Sequence, residues 1–476
     1  MAYMWCEWKE PLVIDEAASS TRVLLVHAPY PGVLKFDAQP SSMLSAAGPL
    51  IRELDTQGRL EEVGYLDPKG ATPEFYAQLE RLAAGGSLEV VCISSSTAAI
   101  EEAAKVATVV RGAAPRPPLI LAGGPHEDDI DEPMATRIEP VDYSIAGDAA
   151  DALKALALGA LNGGGEGVDT LAGLTFRGKG ALSGEGGPIW SWSNPQAPVD
   201  ELVLGRPWTN RKVRFSAFGG RETLPVMISQ GCAYGKCTFC AEGISGGVRV
   251  ARAFEQLEGL LAAHPGAAVY FQDSIFPSSR AIDSALLPVL KDLGVEWGCQ
   301  VYLPMLSRRR IQMLADHGCV YMYTGVESGA EDVRTALGKT HYSTSMAMDR
   351  LCAMSGSGVQ VGLSVMLGGI SEQGELLETK ETLSQTVKFV SELRSRDVRL
   401  LGVYPNVTTV LPGTGLARAL LAAGDRLNFY EMPRQAALED FEDGGVGYNF
   451  WSVPRLKCMA GGLLDDIVET RRELAT

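Results

Sequence analysis

Short, unbroken apolar runs alternate along this chain with longer stretches in which apolar residues recur every three or four positions. The runs read as buried strands and the longer stretches as amphipathic helices. In the first 160 residues the runs fall at 22–27, 63–66, 89–94, 119–122 and 143–145. Helical spacing covers 43–55, 98–111 and the stretch that follows Gly147-Asp148. Strands alternating with helices predict an α/β fold with a doubly wound, Rossmann-like parallel sheet. A Gly-rich, polar stretch at 161–223 reads as a connection, with a small hairpin at 174–177. From 224 the alternation resumes, with strands expected at 226–228, 268–272, 296–302, 320–324, 359–366 and 400–404. Helices are expected at 253–263, up to about 293, at 308–317, at 343–355 and up to about 396. Six such units predict a partial (β/α)6 barrel, open at one side, with its site at the carboxyl ends of the strands.

The expected division is therefore an N-terminal extension (1–21), a first α/β domain (22–160), a linker (161–223), a partial barrel (224–424) and a small C-terminal segment (425–476). That last segment carries Phe429-Tyr430, Tyr448-Asn449-Phe450-Trp451 and a helical stretch near 463–474. It reads either as a cap over the barrel mouth or as a packing tail.

Composition narrows the function. The chain has 476 residues, 46% hydrophobic and 21% charged, as expected of two or three globular domains. A net charge of -16 argues against a nucleic-acid partner, which needs a basic face. The one dense basic run, Arg308-Arg309-Arg310, reads as a helix start. No apolar stretch is long enough to span a bilayer, and the acidic N-terminus does not resemble a secretory signal. Nine cysteines without a disulfide pattern fit a reducing, cytoplasmic setting.

Three of those cysteines change the picture. Cys232, Cys237 and Cys240, spaced C-x4-C-x2-C, follow directly on the first strand of the second domain. Three thiolates can hold three irons of a 4Fe–4S cluster and leave the fourth iron open to a ligand. A structural zinc site normally closes with four ligands, and no second Cys pair or nearby histidine supplies the rest. Zinc and inert thiols remain the alternatives. At other strand ends stand Asp273, Glu327 and Ser364 in the second domain. In the first stand Ser94-Ser95-Ser96, then Gly123-Gly124 with His126, then Gly147. Such residues are also ordinary helix caps and turns, and that reading stays open beside a ligand-binding one.

The cysteine loop, with Phe239 just before its third cysteine, resembles the cluster loop of radical S-adenosylmethionine (SAM) enzymes. It has one residue more than that family's usual C-x3-C-x2-C, and Gly235 can absorb it. Gly325-Val326-Glu327-Ser328, Lys339 in ALGKTH and the run TVLPGTGLARAL resemble the cobalamin-linked branch of the family. The first domain resembles the cobalamin domain that precedes the barrel in that branch.

The resemblance implies a 4Fe–4S cluster on Cys232, Cys237 and Cys240. It implies SAM contacts from Phe239, Asp273, Glu327, Lys339 and Ser364. Cobalamin contacts would come from Ser94, Ser95, Ser96, Gly123, Gly124, His126 and Gly147. No D-x-H-x-x-G motif is present, so cobalamin is expected without a protein imidazole on its cobalt. The implied activity is C-methylation of a small molecule or peptide, fed by an electron donor such as flavodoxin or ferredoxin. The alternatives are a radical rearrangement, cyclisation or oxidation without methyl transfer, and a non-catalytic cobalamin or iron–sulfur sensor. No residue is singled out as catalytic.

The thiols supply the first test. Single Cys232→Ala, Cys237→Ala and Cys240→Ala variants, reconstituted anaerobically with iron and sulfide, should each lose the brown absorbance and most bound iron.

Overall fold

The computed structural model describes residues 20–29, 41–66, 68, 71–124, 127, 130, 132–146, 150–163, 174–176, 216–226, 231–241, 257–259, 261–262, 264–277, 279–340, 343–430 and 461–475. The chain divides into two compact units, Trp8–Lys212 and a second that runs from Val213 to the end.

The first unit begins with β1 (Val23–His27), α1 (Ser41–Thr56), β2 (Val63–Leu66), α2 (Pro73–Ala84), β3 (Val90–Ser94) and α3 (Ile100–Ala113). It continues through β4 (Leu119–Gly123), α4 (Met134–Arg137), β5 (Tyr143–Ile145), α5 (Ala150–Leu161) and β6 (Leu174–Phe176). The strand order is β2-β1-β3-β4-β5-β6. The first five strands are parallel, and β6 runs antiparallel to β5. The expected hairpin at 174–177 is thus a single strand added to the edge of this sheet. Its partner, Tyr143–Ile145, lies on the far side of α5 in the chain, which local sequence does not reveal. Val23, Leu25, Val90 and Cys92 face α1 and α5, which pack together, while α2 and α3 pair with each other. Helices paired in this way cover both faces, which is why the strands read as unbroken apolar runs. Helix α2 was not anticipated, although Thr72 accepts from Phe75 N–H and Pro73 opens the first turn, two ordinary start signals.

The second unit contains β7 (Thr223–Val226), β8 (Ala268–Phe271), α6 (Arg280–Asp292), β9 (Trp297–Gln300), α7 (Arg308–Asp316), β10 (Cys319–Glu327) and α8 (Glu331–Ala336). Then come α9 (Thr344–Gly356), β11 (Gln360–Leu367), α10 (Lys380–Ser395), β12 (Leu400–Val407), α11 (Gly415–Ala422) and α12 (Leu463–Ala475). Six parallel strands follow one another in sequence order, β7 to β12, as a partial barrel requires. Val361, Leu363, Val365 and Leu367 point outward into the core shared with the helices. The expected strand at 226–228 begins earlier, and Met227 and Ile228 lie outside the described residues, as does most of the expected helix at 253–263.

The inner face is built from tyrosine over glycine. Parallel register places Tyr270, Gly298 and Tyr321 in one row, and Gln300, Tyr323, Gly362 and Gly402 in the next. Above them come Gly325, Ser364 and Tyr404, then Met366 and Asn406. A Cβ at Gly298 would sit 3.1 Å from both Phe218 and Tyr321, and one at Gly402 would sit 3.0 Å from Tyr404. A Cβ at Gly362 would collide with the Tyr321 hydroxyl. The rings therefore fill the floor of the barrel because neighbouring strands have no side chains there. The polar rows lie nearer the carboxyl ends.

Helix α12 packs on α10 and on the edge strand β12, with Ile467 and Leu474 in the core. Arg471 Nε donates to the Pro405 carbonyl at 3.2 Å. This part of the C-terminal segment covers the barrel's open edge, as edge strands require. Residues 431–460 lie outside the described residues.

Gly362→Ala should cost about 1–3 kcal/mol in urea unfolding through overpacking. Tyr321→Phe in the same chain should recover part of the loss, because it removes the atom that the new methyl meets.

Candidate active site

The cysteine loop, 231–241, leaves the carboxyl-end side of β7. Gly231 and Gly235 adopt φ of 76° and 57°, so the extra residue between the first two cysteines is taken up where a left-handed turn is cheap. Four contacts hold the loop. Tyr234 stacks on Tyr302 with ring centroids 4.3 Å apart, and its hydroxyl donates to the Gly338 carbonyl. Thr238 N–H donates to the Leu337 carbonyl at 3.2 Å, and the Thr238 carbonyl accepts from Leu416 N–H at 2.8 Å. Gly338 has φ of 83°, and a Cβ there would run into the Lys236 carbonyl. Phe239 packs between the main core and a smaller cluster of Ala330, Val333, Leu337 and Met366.

Cys232, Cys237 and Cys240 are half-buried. Burial pushes the Cys237 thiol up to about 12, Lys339 opposes the shift, and Glu327, Cys240 and Cys232 add to it. The three sulfurs, the lysine and the glutamate are therefore electrostatic neighbours. A thiolate here needs a strongly positive partner, and iron is one. Among the described residues no three His, Cys, Asp or Glu side chains close on a single point as ligands of one metal ion would.

Glu327 and Lys339 form the second half of the site. The register of β10 on β11 slips between Gly325 and Glu327, and Glu327 takes a φ of 68°, unusual for a residue with a side chain. This bulge turns the carboxylate into the barrel end, where it is 6% exposed. Lys339 Nζ donates to Glu327 Oε1 at 2.5 Å and to the Gly325 carbonyl at 2.7 Å. A Cβ at Gly325 would occupy the space of the Glu327 carboxylate.

Asp273, at the end of β8, is buried, and its charge helps to hold the Cys299 thiol protonated, behind burial and a hydrogen bond with Cys319. Ser364 Oγ accepts from Asn406 Nδ2 at 3.2 Å on the inner face. Sequence reasoning missed Asn406, Gln300 and Tyr234. Asn406 and Gln300 are polar residues in otherwise apolar strands, a period-two signal that was available. The expected strand stopped short of Asn406.

In the first unit, Ser94 and Gly123 pair in register at the carboxyl ends of β3 and β4, and Ser95 N–H donates to the Gly123 carbonyl at 2.8 Å. Gly124 has φ of 102°, and a Cβ there would sit 2.7 Å from the Ser95 carbonyl and 2.9 Å from Ser94 Oγ, so only glycine fits. Ser96 occupies a cap position but makes no side-chain capping bond. Nearby, the buried Glu127 accepts from Met134 N–H at 3.3 and 3.2 Å. His126 and Gly147 lie outside the described residues. Among the described residues no helix is long and apolar enough to cross a membrane.

No family model matches the chain, and no curated protein does. Solved structures do. The chain is similar to the radical SAM methyltransferase TsrM from Kitasatospora setae with cobalamin and a [4Fe-4S] cluster bound, at TM-score 0.64 and 17% identity over 85% of this chain and 78% of that one. A second TsrM structure, with tryptophan substrate and a SAM analogue, matches at TM-score 0.63 and 18% identity over 84% and 76%. The cobalamin-dependent radical SAM enzyme OxsB matches at TM-score 0.61 and 14% identity, over 87% of this chain and 63% of that one. The chain thus has the fold of cobalamin-dependent radical SAM enzymes.

The buried pair gives the next test. Lys339→Met leaves Glu327 without its partner and should lower stability by about 3–5 kcal/mol in urea unfolding. Adding Glu327→Gln should restore much of it.

Proposed function

We propose that this chain is a cobalamin-dependent radical SAM enzyme, and that it acts as a methyltransferase on an unactivated carbon. The observation that carries the reading is the gathering of Cys232, Cys237 and Cys240 with Lys339 and Glu327 at the carboxyl end of a six-stranded parallel barrel. The fold shared with TsrM and OxsB supports it.

When bound, the cluster and SAM supply a 5′-deoxyadenosyl radical, and methylcobalamin supplies the methyl group. The three thiolates ligate the cluster, and the backbone bonds of Tyr234 and Thr238 hold the loop that presents them. The Lys339 ammonium is suited to the SAM carboxylate, while Glu327 and Asp273 are suited to its amine and ribose hydroxyls. Ser364, with Asn406 fixing its hydroxyl, adds a neutral contact on the inner face. Phe239 closes the apolar side next to the third cysteine. In the first unit the turns that follow β3 and β4, carrying Ser94, Ser95, Ser96, Gly123 and Gly124, stand at the carboxyl end of the sheet, where cobalamin would be held. An electron donor such as flavodoxin or ferredoxin would reduce the cluster.

The test is turnover by the anaerobic, reconstituted full chain with SAM and added cobalamin. The expected products are 5′-deoxyadenosine and S-adenosylhomocysteine, with cobalt bound to the protein. Nucleoside release without S-adenosylhomocysteine would shift the reading to a rearrangement, cyclisation or oxidation. Absence of both would end the enzymatic reading.

A further inference from the structure

Just beyond β11 the chain folds back on itself. Ile370 pairs with Leu376, Leu377 N–H donates to the Gly369 carbonyl at 2.8 Å, and Ser371 N–H donates to the Glu375 carbonyl at 2.8 Å. Ser371 Oγ accepts from Gln373 and Glu375 N–H at 3.2 and 3.1 Å, closing the tip. At the root of this hairpin lies Glu378, 6% exposed, with its Oε2 shielded from solvent and without a hydrogen-bond partner among the described residues. That oxygen is 3.5 Å from where a Gly369 Cβ would be, and the Leu337 side chain is 3.3 Å from the same point. Leu337 clusters with Met366, Leu377 and Phe239, the residue before Cys240.

A carboxylate with one bare oxygen in such a place carries a large desolvation cost, and a neutral acid does not. We infer that Glu378 is a positioning residue: as an uncharged acid it locks the hairpin after β11 against Leu337, and so beside the cysteine loop, and its ionisation unlocks the hairpin. Burial pushes the Glu378 carboxyl up to about 8, opposed only by the backbone N–H groups of Gly369, Glu378 and Gly368. Among the described residues, the charged groups of the neighbouring segments are exposed or paired with other groups. Glu372 and Glu375 are exposed at the tip, and Lys380 and Glu381 are exposed at the start of α10. Arg334 bonds the Ser328 carbonyl and Thr344, Lys339 bonds Glu327, and Cys237 and Cys240 lie on either side of Phe239 in sequence.

The folded state therefore holds this proton more tightly than the unfolded chain does. The stabilisation is complete below the ordinary carboxylate pKa, falls as pH rises, and is gone above about 8. The experiment is hydrogen–deuterium exchange of the 368–379 segment in the full chain, from about pH 6 to about pH 9, corrected for the intrinsic pH dependence of exchange. In the wild type, opening should increase by up to about tenfold per pH unit until about pH 8 and then level off. Glu378→Gln, which keeps a neutral group of the same shape, should remain protected throughout, and Glu378→Ala should be open throughout. A wild type and Glu378→Gln with the same corrected profile would overturn the inference, as would Glu378→Gln as open as Glu378→Ala. If the alanine variant does not fold, the first comparison decides alone. The measurement needs no cluster or SAM, so its outcome is separable from that of the proposed function.

Discussion

The backbone contact between residues 337–338 and the cysteine loop is the constraint on which the site depends. Gly338 lies against the Lys236 carbonyl in a conformation suited to glycine, Leu337 accepts from Thr238, and Tyr234 donates back to Gly338. The next residue is Lys339, which reaches Glu327 across the bulge in β10. One short segment thus orients the thiols and carries the charged pair beside them. A loop of three cysteines free in solution has many conformations. Here its freedom is removed by contacts that also position the lysine, so ligand geometry and charge are set together.

Burial makes an isolated charge at either position of the pair costly, and the pairing offsets that cost. The strain stored at Glu327, with its positive φ, persists because the surrounding strands determine it. Beneath the pair, tyrosines over glycines close the floor of the barrel and confine polar contacts to the rows nearer the carboxyl ends. The terminal helix covers the edge of β12, which leaves the inner face shaped by the strands.

Much of the fold was legible because its signals are local. Most strands are largely apolar runs, and most helices carry their own spacing, so the alternation that implies parallel sheets could be read without any long-range information. Helix α2 was missed despite its local start signals, and the rest that escaped was weak or non-local. Helix α8 is six residues long, too short to show a period. The strand Leu174–Phe176 has its partner across α5. Asn406 lay beyond the expected end of its strand, and Glu378 looks in sequence like one more solvated acid before a helix.

The sequence by itself determined the chemistry available: three thiols within nine residues, carboxylates at strand ends, a lysine further along the chain, and glycines at the turns of a second parallel sheet. Covalent neighbours stay near each other in any fold, so such spacing carries meaning on its own. Only the tertiary structure decided which partner each group meets. It brought Tyr234 to Gly338, 104 residues away, turned Lys339 onto Glu327, and buried Glu378 away from water. Those pairings depend on packing between elements remote in the chain, and packing is a property of the assembled core rather than of any stretch of sequence.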